Sequence, residues 1–374
     1  LFRSMTAQPR RNFLKLALAA GAAPALGALA GPAFAQTAER RFAPQPGNWR
    51  RYETVTSVKL AESGPAQVWL PVPALQTDYQ RALGNVIAGN ATSAEIVTDK
   101  ASGAQYLHAR FEGGGTPELT LTSQFETRGR RTDWNNPRNV TEDPAVLAAA
   151  LRPSGNKPLD GVVARTAAEI TKGATSDLDK VRAIYAWIVS NCYRNLDTPG
   201  CGPGDAVATL TSAGMGGKCA DLNGLFVALS RASGVPARDV YGVRVAPSAF
   251  GFSQLGAKDA VITGAQHCRA EVWIAGHGWV AIDPADVLKV MRAETDRWIK
   301  DPNDPIVTQV NAALFGAWEG NWVGYNTAED LALAGSNRRL PFLMYPQASI
   351  NGRALNELDA KGFGYRITAR AIPA

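Results

Sequence analysis

The chain has 374 residues, of which 45% are hydrophobic and 19% are charged, with 36 glycines and 23 prolines. This composition is typical of a folded, loop-rich protein and excludes a disordered or fibrous one. The formal net charge of +6 falls to +2 without residues 1–35, which hold four basic and no acidic residues, so we expect no nucleic-acid partner.

The N-terminus has the pattern of a removable export signal. Arg10 and Arg11 precede an Ala/Leu-rich run from Leu16 to Ala30, followed by small residues. This order resembles the twin-arginine signal of bacteria and predicts a signal peptide over residues 1–35. The chain would then be periplasmic or secreted, exported by the twin-arginine route and free of the membrane after cleavage. An uncleaved anchor is the alternative, since about 20 weakly apolar residues just span a bilayer.

A β-rich region follows a polar linker over residues 36–48. Residues 68–73 form an apolar run closed by prolines, and residues 119–125 alternate with a period of two. These patterns predict a sandwich-like N-terminal domain over residues 49–130, with its prolines on edge strands.

Helical patterns dominate the next region. Residues 160–171 and a segment capped by Ser176 predict two helices, and a short helix is expected near residues 206–210. Strand patterns return from Val261. We predict a core over residues 140–290 and a mixed C-terminal extension over residues 291–374, packed on that core.

One cysteine lies where a thiol would be activated. Residues 222–229 carry leucines and Phe226 at helical spacing, and Gly234 with Pro236 marks the end of the helix. Cys219 therefore lies at the helix N-terminus, after two glycines that let the backbone turn. Free N–H groups and the helix dipole favour a thiolate there. A nucleophile, a disulfide half, a metal ligand and a packed apolar residue are the alternatives for this cysteine.

A histidine and an aspartate flank the open end of a predicted hairpin. His267 begins one strand, and Asp283 ends the next. The acid would orient the imidazole and stabilise its charged form. A four-residue turn over residues 275–278 would place Asp283 on the face opposite His267, so the pairing requires a bulge or another turn. His108 and His277 are better explained as packing and turn residues.

The other three cysteines leave several pairings open. Cys192 and Cys201 form the easiest local disulfide across a Gly/Pro-containing loop. Strand parity places Cys268 on the face opposite His267, outside the site. No spacing typical of a metal site occurs, so neither a metal nor another cofactor is expected.

The order and context of these residues resemble the transglutaminase-like superfamily. The resemblance rests on Gly217-Lys218-Cys219-Ala220-Asp221, on residues 225–231 and 234–238, on His267 with Glu271, and on residues 278–284, and it covers roughly residues 175–290. It implies an α+β fold with a papain-like core, in which a catalytic helix packs on an antiparallel sheet behind a small antiparallel β domain. It also implies Cys219 as nucleophile, His267 as base and Asp283 as orienting acid.

The implied function is thiol acyl transfer, most simply hydrolysis of peptide or amide bonds in a peptide or protein substrate, cell-wall peptides included. Protein-glutamine transglutaminase activity and a non-catalytic binding or scaffold role are the alternatives. The sequence departs from the family at Cys268 and Arg269, where Arg269 would share the face of His267 and bind an acidic group or hinder access. The Cys219 N–H is the natural first oxyanion donor, with Trp187 and Tyr193 as candidates for a second.

Overall fold

The N-terminal part of the fold, up to residue 131, is built from strands. The computed structural model describes residues 40–373, so the predicted signal peptide and residues 36–39 of the linker lie outside the described residues. The first strands are β1 (Arg50–Lys59), β2 (Ala66–Pro71), β3 (Gln80–Gly89), β4 (Ser93–Thr98), β5 (Gln105–Phe111), β6 (Glu118–Thr127) and β7 (Arg130–Arg131).

Helices and short strands alternate in the middle of the chain. The helices are α1 (Pro144–Ala149), α2 (Gly161–Ile170), α3 (Asp177–Asn191), α4 (Ala206–Thr211), α5 (Cys219–Ala232), α6 (Pro284–Ala293), α7 (Pro305–Ala313) and α8 (Ala360–Phe363). The strands among and after them are β8 (Tyr193–Arg194), β9 (Gly216–Gly217), β10 (Ala237–Arg244), β11 (Gln266–Ile274), β12 (Gly278–Ile282), β13 (Ala317–Trp318), β14 (Trp322–Asn326), β15 (Leu331–Ala332), β16 (Arg339–Leu340), β17 (Gln347–Ile350), β18 (Arg353–Ala354) and β19 (Tyr365–Ile372).

Two antiparallel sheets enclose one apolar core in the β-rich part. Their strand orders are β19-β1-β6-β3 and β18-β17-β2-β5-β4, and their buried side chains form one cluster. Each sheet therefore takes strands from the end of the chain, which the sequence patterns did not indicate. The prediction of edge strands for the prolines was wrong for β2, which lies between β17 and β5, with Pro71 at its last residue.

A third sheet carries the helices. Its order is β12-β11-β10-β14, all antiparallel, and α5 packs on β10 and β11. Helices α2, α3, α4 and α6 cover the other sides of α5. Mixed helices and antiparallel sheets confirm the predicted α+β class, with a central helix lying on a sheet.

The helix predictions agree closely with the observed bounds. The Ser176 hydroxyl accepts the Asp179 N–H at the start of α3, and Gly234, at φ 81°, follows the end of α5. Residues 219–231 of α5 are all buried, whereas the sequence pattern predicted one buried face. The helix is enclosed by neighbours on every side, and its Asp221, Asn223 and Arg231 side chains are hydrogen-bonded within the protein.

The division into a domain over residues 49–130, a core over 140–290 and an extension over 291–374 stays a prediction. Arg40–Ala374 forms one compact unit. Within the described residues, no helix has both the length and the apolar character needed to cross a membrane.

Candidate active site

Cys219 is the first residue of α5, and the chain before it is held by close contacts. Strands β8 and β9 pair in parallel, Tyr193 with Gly216. A Cβ on Gly216 would lie 2.4 Å from the Tyr193 ring, and one on Gly217 would lie 2.5 Å from the Asp221 Cβ. The two glycines are thus required by close approach and not, as predicted, by a tight turn, because neither has a positive φ.

Asp221 holds a loop against the start of the helix. Its carboxylate accepts the Lys218 N–H and the Gly204 N–H, each at 2.9 Å, and burial raises its pKa to about 6. The Ala220 N–H donates to the Cys201 carbonyl at 2.9 Å. These bonds bring the loop with Cys201 over the N-terminus of α5, beside Cys219.

The hairpin of β11 and β12 has the register that the predicted pairing requires. Ile274 faces Gly278 and Ala270 faces Ile282, so the turn has three residues instead of four. One step further, Asp283 lies opposite Arg269 and on the face of His267. The His267 Nε2 lies 2.8 Å from the Asp283 Oδ2.

Asp283 is also the N-cap of α6 and is completely buried. Its Oδ1 accepts the Asp286 N–H and the Asn223 Nδ2–H, both at 3.1 Å. The Asn223 amide also donates to the Cys268 carbonyl and accepts the Ala285 N–H. Asn223 therefore ties α5, β11 and α6 together at the site.

A second carboxylate lies beside the histidine. Asp286 Oδ2 is 3.4 Å from His267 Nε2, and the Arg244 guanidinium donates to both Asp286 oxygens at 2.6 and 2.8 Å. Burial lowers the pKa of His267, but the carboxylates of Asp286 and Asp283 raise it overall. The charged imidazolium is thus favoured in this buried place.

The environment of the Cys219 sulfur favours the thiolate. Hydrogen bonds from the Cys201 and Cys268 thiols, with His267 adding to them, hold the pKa of Cys219 well below its usual value against the opposing effect of burial. The same interactions raise the pKa values of Cys201 and Cys268. Cys201 has a second acceptor in reach, the Gln266 carbonyl at 3.3 Å. A thiolate beside an imidazolium is the reactive form of a nucleophilic cysteine.

Two expectations about the cysteines were wrong. All four are free thiols, so Cys192 and Cys201 form no disulfide: Cys192 caps α3 away from the loop that folds over α5. Cys268 was expected outside the site, yet its thiol is close enough to help lower the pKa of Cys219. The first turn of α5 lies against the start of β11, where the Asn223 side chain donates to the Cys268 carbonyl at 2.9 Å.

The expected role of Arg269 was also wrong. Arg269 is buried, donates to the Glu319 carbonyl at 3.1 Å and lies between the rings of Trp318 and Trp322. Its Nε is 3.7 Å from the Asp283 Oδ2. It therefore supports the site from within instead of facing a substrate.

Sequence reasoning missed Asn223, Asp286 and Arg244. Two signals were available: Asn223 follows Cys219 by four residues and so shares its helical face, and Asp286 stands three residues after an Asp-Pro helix start. Arg244 lies on β10 and carried no signal in the sequence. The other histidines lie elsewhere, His108 stacked on Trp69 and His277 packed on Trp134.

A cleft opens beside these residues. Its volume is about 560 Å³. Its lining includes Cys201, Lys218, which precedes Cys219 in the chain, and Gln266, which precedes His267. Trp187 and Tyr193 are absent from the lining that the described residues provide, and Tyr193 lines a separate pocket with Trp298. Cys219 itself is 2% exposed. Lys218, the residue before it, and Cys201 line the cleft, so the cleft lies beside the buried thiol.

Three ligand-type side chains also lie close enough to be considered for a metal. The nearest donor atoms of His267, Asp283 and Asp286 lie within 4.8 Å of one another. The Arg244 guanidinium, however, engages both oxygens of Asp286. A hydrogen-bonded acid–imidazole network accounts for all three side chains.

Two segments of the chain match families of known proteins. Residues 164–284 match the sequence profile of the transglutaminase-like superfamily, and residues 9–27 match that of the twin-arginine translocation pathway signal sequence. An uncharacterized protein of Haemophilus influenzae is 32% identical over 333 residues, which cover 84% of this chain and 89% of the relative.

The solved structures that the chain matches are more distant in sequence. A protein of Cytophaga hutchinsonii designated a putative cysteine protease is 18% identical, with 87% of this chain and 99% of that chain covered and a TM-score of 0.49. The periplasmic domain of TgpA from Pseudomonas aeruginosa is 17% identical, with 66% and 91% covered and a TM-score of 0.36.

Proposed function

Because this chain belongs to the transglutaminase-like superfamily, we propose that it is an exported thiol acyl-transfer enzyme that hydrolyses peptide or amide bonds. Cys219 is the nucleophile, His267 the general base and acid, and Asp283 the residue that orients the imidazole. The twin-arginine signal supports export, and we place the enzyme in the periplasm or outside the cell, where fractionation would find it.

The first half-reaction forms a thioester. The Cys219 thiolate attacks the carbonyl carbon, and the new C–S bond converts the carbonyl oxygen to an oxyanion, which the Cys219 N–H stabilises. When the tetrahedral intermediate collapses, the C–N bond breaks and the His267 imidazolium gives its proton to the leaving amine. The amine product departs, and the acyl group remains on the sulfur.

The second half-reaction releases the acid. Neutral His267 takes a proton from water, the hydroxide attacks the thioester, and the thiolate leaves as the carboxylic acid forms. Asp283 keeps the Nε2–H of the imidazole directed toward itself, so that Nδ1 is free to exchange protons with the thiol and the substrate.

One observation carries the proposal. A cysteine whose pKa is held well below its usual value lies beside an imidazole, and that imidazole is 2.8 Å from a fully buried carboxylate. Thiols that serve only as packing have no such partners and stay protonated, as Cys192 does, where burial raises the pKa to about 12.

The test incubates the purified protein with a glutamine-containing peptide library and a primary amine, followed by mass spectrometry. Cleavage or deamidation that is lost in Cys219→Ala and kept in the matched variant Cys192→Ala supports hydrolysis. Amine incorporation would replace hydrolysis with transglutaminase activity. No reaction by folded protein, or equal reaction by Cys219→Ala, would overturn thiol catalysis and favour a scaffold role.

A further inference from the structure

The cleft beside Cys219 carries charges that the acyl-transfer steps do not use. We propose that this cleft selects acidic peptides, holding a substrate carboxylate with Arg194, Lys218 and Lys258 beside the scissile bond. This inference rests on the proposed function and names the substrate class of the same site.

The cationic side chains of the cleft have few acidic partners. Within residues 40–373, Arg194, Lys218 and Lys258 form no salt bridge, although all three line the cleft. Lys289, also in the lining, donates to the Gln254 carbonyl at 2.7 Å. The only acidic side chain in the lining that the structure describes is Asp259. Such an excess of one sign in a concave site concentrates ligands of the opposite sign.

The cations also affect each other. Burial, and then the charge of Arg244, lowers the pKa of Lys289 to about 7. Burial and the neighbouring Arg194 lower the pKa of Lys218 as well. Like charges brought together in this way disfavour one another, so a bound carboxylate would relieve an existing repulsion.

An unpaired amide in the lining points to a polar ligand independently of the charges. Gln266 is 9% exposed, and its Nε2 is buried without a hydrogen-bond partner among the described residues. Buried donors are rarely left unsatisfied, because the lost hydrogen bonds cost free energy. A substrate carbonyl or carboxylate oxygen would satisfy this donor, one residue away from His267.

A second pocket on the other side of Cys201 indicates that the ligand is a peptide. It has a volume of about 310 Å³ and is lined by prolines, Phe342 and Leu340. The two pockets share Cys201, Tyr345 and Leu358. A substrate spanning both would present an acidic group on one side of Cys201 and an apolar side chain on the other, which fits a peptide better than a phosphate or a polyanion.

The charge of the cleft can be measured without any substrate turnover. Iodoacetate and iodoacetamide are an anionic and a neutral alkylating agent of similar size, and trypsin cleavage after Lys218 places Cys219 on a peptide separate from Cys201. We expect the ratio of iodoacetate to iodoacetamide rate constants at Cys219 to exceed that of free cysteine by about tenfold at low salt.

Single neutralisations then locate the effect. Arg194→Gln and Lys258→Gln should each lower that ratio about threefold, while Lys172→Gln, an exposed lysine on another surface, should leave it unchanged. A ratio equal to that of free cysteine, or one insensitive to both cleft variants, overturns the inference.

A peptide comparison separates this inference from the proposed function. The wild-type protein digests two peptide pools. The acidic pool contains Asp and Glu at the positions where the neutral pool contains Asn and Gln, and the pools are otherwise identical. Faster turnover of the acidic pool, reduced in Lys258→Gln but not in Lys172→Gln, supports the inference. Equal turnover of both pools overturns the acidic preference and leaves thiol catalysis intact. A raised alkylation ratio without any turnover supports the charged cleft and counts against the proposed function.

Discussion

Replacing Asp283 with asparagine tests the acid–imidazole pair without removing the helix cap. Asparagine is as good an N-cap as aspartate, and Asp283 Oδ1 already accepts the Asp286 and Asn223 N–H groups. In Asp283→Asn the amide oxygen therefore stays at that position. The new NH2 group takes the place of Oδ2 and presents a donor to His267 Nε2, 2.8 Å away in the native protein.

The expected loss has two parts. A charge pair about 4 Å apart at an effective dielectric constant near 20 is worth about 4 kcal/mol. Asp286, whose Oδ2 is 3.4 Å from the His267 Nε2, remains but is shared with Arg244, so we take about half of that figure as lost. About 2 kcal/mol corresponds to a rate about 30-fold lower. The donor facing Nε2 also forces the proton onto Nδ1, the wrong tautomer, so the loss in kcat/KM should reach about 10²–10³-fold.

Alkylation of Cys219 against pH provides the assay. Wild-type Cys219 should react with iodoacetamide well below the pH at which an ordinary thiol does, because its pKa is lowered. The rate of Asp283→Asn at pH 6 should be about 30-fold lower than that of wild type, with its inflection at higher pH. Asp304→Asn is the matched control, since Asp304 also caps a helix before a proline. A change of less than about threefold, or an equal change in the control, would refute the reasoning.

Three further variants test the surroundings of the thiol. Cys201→Ala should slow alkylation of Cys219 at pH 6 about tenfold, because it removes a hydrogen bond to the thiolate. Cys201→Ser should restore the rate, and Cys192→Ala should leave it unchanged. An unchanged rate in Cys201→Ala would exclude that bond. Asp221→Ala leaves two backbone N–H groups without their acceptor and should lower the free energy of unfolding in urea by about 3 kcal/mol. A loss of less than about 1 kcal/mol would show that the Asp221 carboxylate does not hold the loop. Asn223→Ala should lower the free energy of unfolding by a similar amount and should also move the inflection of Cys219 alkylation to higher pH. A purely structural role of Asn223 would leave that inflection in place.

Local patterns sufficed to predict the main elements around the site. The apolar spacing after Cys219 and the Gly234 stop define α5 almost to the residue, because helix periodicity and end signals are properties of a short segment. The order of Cys219, His267 and Asp283 also placed three side chains that the fold brings to one place.

Features that depend on contacts between distant segments could not be predicted. The turn between β11 and β12 has three residues instead of four, and this change of register puts Asp283 on the face of His267. Cys268 comes close to Cys219 where the first turn of α5 lies against the start of β11, a packing detail that strand parity ignores. The pairing of β19 with β1 joins residues more than 300 positions apart, and no local pattern encodes such a contact.

A trapped acyl-enzyme would test the central claim most directly. The protein is mixed with the glutamine-containing peptide library, quenched in acid within the first turnovers and examined by intact mass and tryptic mapping. A nucleophilic Cys219 predicts an acyl adduct on the peptide that begins at residue 219, released by neutral hydroxylamine as expected for a thioester and absent from Cys219→Ala. Turnover that persists in Cys219→Ala, or an adduct on Cys201 or Cys268 instead, would contradict the assignment of Cys219 as the nucleophile.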